Sequence, residues 1–121
     1  MIAYAEAQFA LSRRQEDGRS YRELLAHAAA LSQAARAELD ALESVPLPDA
    51  AAHVWETFME ISAHRTSSGF GPSTLSWLDL DAWQRVTRVE LTPLERGWLF
   101  ELDRMFIEDQ AKEQRKRAQK R

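Results

Sequence analysis

From Trp55 to Arg65 the chain reads WETFMEISAHR, and from Leu91 to Phe106 it reads LTPLERGWLFELDRMF. These two stretches decide the fold. In the first, Val54, Trp55, Phe58 and Ile61 recur at spacings that place them within one broad arc of a helix. In the second, Thr92-Pro93-Leu94-Glu95 sets a capping hydroxyl, a proline at the first helical position and a glutamate at the third, so a helix starts at Pro93. Leu94, Trp98, Leu102, Met105 and Phe106 then form one apolar stripe. Phe100 and Ile107 fall roughly opposite its centre, on a flank that an ordinary surface helix keeps polar. Gly97 sits early in this helix at a cost of about 1 kcal/mol relative to alanine. A close crossing of another backbone would explain it.

Outside these stretches Ala, Leu, Glu and Arg dominate, and β-branched residues never alternate for long, which again favours helices. Residues 1–16 read as a helix with Ile2, Ala5 and Phe9 inward, broken by Asp17-Gly18. Ser20-Tyr21-Arg22-Glu23 is a capping box that opens the next helix. Its stripe is Leu24, Ala28, Leu31, Ala35, Leu39 and Leu42, and Val45-Pro46-Leu47-Pro48 ends it, because proline pushes the residue before it out of the α region. Asp49 caps a third helix running to about His64. Arg65 to Thr74 is a loop with Gly69, Gly71 and Pro72. Ser76 with Asp79 starts a short helix through Trp77, Leu80, Trp83 and Val86. The expectation is therefore an all-α protein, a small helical domain of four to five helices with a Gly/Pro loop between the third and fourth. Residues 1–19 form an N-terminal helical segment, 20–110 the helical domain and 111–121 a basic tail.

The 121 residues suit one domain with a modest core. A formal net charge of -3 gives no global pull toward nucleic acid or anionic membrane. No apolar run approaches the roughly 20 residues of a membrane-spanning helix. The first residues, MIAYAEAQFALSRR, place Glu6 inside the apolar part and arginines after it, the reverse of a secretory signal. With no cysteine there are no disulfides and no thiolate metal sites. A soluble intracellular protein is expected.

Reactive constellations are few. His53, Glu56, Glu60 and His64 stack on one side of the third helix, where imidazole and carboxylate at such spacings can chelate zinc or iron. A carboxylate-bridged site would need a matching Glu-x-x-His on a second helix, and none exists. The four are read as a solvated face. Gly69-Phe70-Gly71-Pro72 lacks the Gly-Lys-Ser/Thr ending and preceding strand of a phosphate loop, so it reads as a turn, with Phe70 plugged into the core or exposed to a partner. No serine sits on a strand–turn–helix elbow beside a histidine. Catalytic residues, metal ligands and cofactors are expected to be absent. The run from Lys112 through Arg115, Lys116 and Arg117 to Lys120 and Arg121 is basic. It reads as a frayed helix end whose cations suit the macrodipole.

The pattern Trp55-x-x-Phe58-x-Glu60-Ile61-Ser62-x-x-Arg65, then Gly69-Phe70-Gly71-Pro72 and Trp83, then Leu91-Thr92-Pro93-x-Glu95, then Leu102-Asp103-Arg104-x-Phe106, resembles the tail assembly chaperones of tailed phages and prophages. Ser12-Arg13-Arg14-Gln15, Asp17-Gly18-Arg19 and Arg22-Glu23 extend the resemblance upstream. It implies a non-enzymatic helical protein in the host bacterial cytoplasm. Such a protein coats the tape-measure protein, keeps it soluble, and leaves as the tail tube forms. Tape-measure protein is then the expected partner, with the tail tube protein and a second copy of the chain as further ones, and neither membrane nor nucleic acid. The candidate contacts are Trp55, Phe58, Phe70, Trp83, Trp98, Phe100 and Ile107, a mixture of core and groove that the sequence does not sort. The alternative is a small nucleic-acid-binding or regulatory phage protein using the basic tail, whose binding would be salt-sensitive.

Overall fold

The computed structural model describes residues 1–15, 18–69 and 71–119. They form an all-α protein of six helices, interrupted at one point by a small β-hairpin with strands of two residues each. The chain divides into two compact units, Met1–Pro48 and Asp49–Arg121.

The first unit holds α1 (Ile2–Ser12), α2 (Tyr21–Ala29) and α3 (Gln33–Glu43). Helix α1 buries Ala5, Ala7 and Leu11. Phe9 is half-buried, but Ile2, expected inward, stands largely in solvent. Between α1 and α2 the chain doubles back, with Gln15 N–H donating to the Arg19 carbonyl at 2.8 Å and Tyr21 N–H to the Arg13 carbonyl at 2.7 Å. Gly18 turns this bend at φ +84, a left-handed conformation that glycine adopts without steric cost. Asp17, read as part of the same break, lies outside the described residues. The Ser20 hydroxyl accepts the Glu23 N–H as expected, at 3.2 Å. The Glu23 carboxylate returns to the Ser20 hydroxyl instead of to its backbone N–H, so only half of the expected box forms.

The stripe from Leu24 to Leu42, expected on one helix, belongs to two. Ser32 caps α3 by accepting the Ala35 N–H at 3.3 Å, and Leu31, read as part of the stripe, is 89% exposed in the turn. A serine hydroxyl competes well for the free N–H groups of a helix start, and an alanine-rich stripe has little bulk to hold one continuous rod. The helix count rises to six accordingly, and the Gly/Pro loop lies between the fourth and fifth helices.

The second unit holds α4 (Asp49–Ala63), β1 (Ser67–Ser68), β2 (Gly71–Pro72), α5 (Trp77–Thr87) and α6 (Pro93–Gln119). Helix α4 packs on α6, α5 packs on α4, and β2 rests on α6. The core is Val54, Phe58 and Ile61 from α4, Leu80 from α5, Leu99 and Leu102 from α6, and Leu75 and Leu91 from the connections. The hairpin pairs Ser67 with Pro72 and Ser68 with Gly71. Gly71 has φ +114, a backbone conformation that favours glycine, and the flexible end of the Gln114 side chain on α6 fills the space where a β-carbon would stand. Ser76 and Asp79 form a complete capping box on α5. Thr92 and Glu95 do the same for α6, at 3.2 and 3.1 Å. The inward seam of α6 differs from the expected stripe. Leu99, Leu102 and Asp103 are the buried residues, whereas Leu94 is exposed.

Candidate functional site

The second unit holds a buried ion pair. Arg65 follows the end of α4, and Asp103 sits in the middle of α6; both side chains are 5% exposed. Arg65 Nη1 donates to Asp103 Oδ1 and to the Ser73 carbonyl, the latter at 2.9 Å. Its Nη2 and Nε donate to the Ser62 hydroxyl at 3.0 and 3.2 Å. The second Asp103 oxygen accepts the Leu75 N–H at 3.0 Å. The guanidinium carbon also lies 4.6 Å from the centre of the Phe106 ring. A buried pair offsets its desolvation only when its remaining donors and acceptors are used, and here they are. The pair ties α4, the segment after the hairpin and α6 together. Arg65, Asp103, Ser62, Phe58 and Phe106 all belong to the sequence pattern, but their common purpose was not readable from it.

Around this pair the aromatic residues sort themselves. Trp55 and Phe58 are buried, with ring centres 5.8 Å apart, and Phe58 meets Phe106 edge-on at 6.3 Å. They are core. Trp83, Trp98, Phe100 and Ile107 are half-buried. Ile107 lines a cleft of about 70 Å³ with Pro72 and Gln114. Phe70 lies outside the described residues.

Trp83 forms one wall of a groove of about 290 Å³ between α4 and α5. Ile61, Leu75 and Val86 supply its apolar surface, and Glu60, His64 and Asp79 stand along it. The Trp83 indole N–H is buried and has no hydrogen-bond partner among the described residues. Of the histidine–glutamate face, Glu60 and His64 border this groove, while His53 reaches across to Glu95 at 2.5 Å. The thread of hydrogen bonds from Thr92, with His53 adding to it, holds the Glu95 carboxyl below its ordinary value.

A second surface lies on α5 and α6. Leu80, Trp83, Gln84 and Thr87 turn inward and leave Trp77, Leu78, Asp81 and Arg85 outside. Trp77 is 68% exposed and leans on Phe100, ring centres 5.2 Å apart. Leu94 is 62% exposed on the first turn of α6. Phe100 was among the candidates, but Trp77 was not. Sequence reading set it in line with Leu80 and Trp83, and helical spacing places it as far from Leu80 as Trp83 on the other side, so no signal in the sequence separates the two indoles.

These surfaces offer, among the described residues, shape and apolar area. Among the described residues no helix is long and apolar enough to cross a membrane. No curated protein and no solved structure matches the chain. Residues 31–108 match a protein family described as phage tail assembly chaperone. The match spans more than half of the chain and takes in the buried ion pair, the groove and the Trp77–Phe100 surface, so this chain belongs to the phage tail assembly chaperone family.

Proposed function

We propose that the chain binds the tape-measure protein of its phage and keeps it soluble in the host cytoplasm while the tail tube assembles, through apolar contacts between helices. One observation carries this reading: Trp77, leaning on half-buried Phe100, and Leu94 stand exposed on α5 and α6. Each large apolar side chain left in water forfeits about 1.5–3 kcal/mol of burial. A small domain that displays several of them together has a surface made for a partner. A tape-measure protein is a long helical chain with exposed apolar stripes, the kind of client such a surface fits by helix-in-groove binding. The α4–α5 groove is large enough for a few side chains of that client, with Trp83 as its wall.

Co-expression tests this. Trp77→Asp should leave the fold intact, because the side chain is mostly in solvent and an acidic residue suits the first turn of α5. The wild-type chain should raise the soluble yield of the tape-measure protein, and the variant should lose most of that effect. Equal solubility of the tape-measure protein with and without the wild-type chain would end the proposal.

A further inference from the structure

Gly97 lies in the second turn of α6, exposed, with nothing within 4 Å of where its β-carbon would be. Its φ is not in the left-handed region, so the backbone there does not require glycine. Glycine nonetheless weakens a helix interior relative to alanine. The close crossing that would explain it is not made within the second unit. Three features surround the gap. Leu94 stands one turn earlier, Phe100 with Trp77 against it stands about one turn later, and Arg96 holds its guanidinium 6.0 Å from the Trp77 ring. Arg96 makes no ion pair among the described residues, whereas Arg104 on the same helix is held by Glu101 and Glu108.

We propose that Leu94, Gly97 and Phe100, flanked by Trp77 and Arg96, form the seat for an amphipathic helix of the tape-measure protein. That helix inserts one bulky aliphatic side chain at Gly97 and sets a carboxylate against Arg96. The assignment rests on the tape-measure reading and specifies the chemistry of the client segment. A missing β-carbon between larger neighbours makes a hole for one knob of a facing helix. Anchors one turn apart match the ridge spacing of a helix. An unpaired cation at the rim of an apolar patch selects a partner of opposite charge.

Binding of the full-length chain to purified tape-measure protein, and to overlapping peptides from it, tests the assignment with Gly97→Leu and Arg96→Glu. Gly97→Leu should raise the thermal midpoint, since leucine is the better helix former, yet weaken binding by about tenfold or more, the scale of a blocked hot spot. Arg96→Glu should weaken binding as well, and a peptide whose acidic residue is changed to lysine should restore it. Wild-type affinity in both variants would overturn the seat while leaving the tape-measure reading standing. A dimer of the free chain that Gly97→Leu dissolves would assign the seat to a second copy and overturn it too. Failure of the wild-type chain to bind the tape-measure protein or any of its peptides would overturn both.

Discussion

Asp103 shows how much depends on a single side chain in the second unit. It answers one arginine and one backbone N–H from segments distant in sequence, and that arginine lies over the rings of Phe58 and Phe106. Removing one partner of such a pair strands the other charge, which typically costs about 3–5 kcal/mol. Asp103→Ala should therefore lower the urea midpoint sharply, and Asp103→Ala with Arg65→Leu should recover part of the loss. A single-variant effect no larger than that of a surface substitution would refute the anchoring role. The sequence shows both residues within a recognisable pattern. It could not show that they meet, because spacing along one helix says nothing about a partner 38 residues away. The same blindness hid the sorting of aromatics. Trp55 and Trp77 look alike as indoles in helical stripes, and only packing makes one core and leaves the other in solvent.

Among the elements, caps were legible and helix seams less so. Thr92-Pro93-Leu94-Glu95 and Ser76 with Asp79 form as their residue types dictate, because a cap is a local exchange of hydrogen bonds. The break between α2 and α3 was missed, since apolar steps of three and four continue in register across Ala30–Ser32 and hide the cap at Ser32. The seam of α6 was misplaced for another reason. Its inward face includes the charged Asp103, which a search for apolar stripes passes over. Thr92→Ala should lower stability by about 1 kcal/mol, measured by chemical denaturation. Glu95 gives the cap a pH signature. Its folded pKa lies below the ordinary 4.5, so its contribution is fully present above that value and fades as pH falls through the depressed one. The stability gap between wild type and Thr92→Ala should accordingly narrow in acid. A gap that widens there would contradict the linkage.

At the scale of the whole molecule, composition and periodicity sufficed for the all-α class, and the order of the motifs pointed to the family. They could not say which surface works. That is set by what the core leaves uncovered: Trp77 beside Phe100, Leu94, and the bare backbone at Gly97. The central claim is that a client helix covers this surface. Oxidative footprinting of the chain, free and in complex with the tape-measure protein, tests it most directly. Trp77 should oxidise quickly in the free chain and several-fold more slowly in the complex, while buried Trp55 stays slow in both. Unchanged oxidation of Trp77 in a complex that demonstrably forms would contradict it.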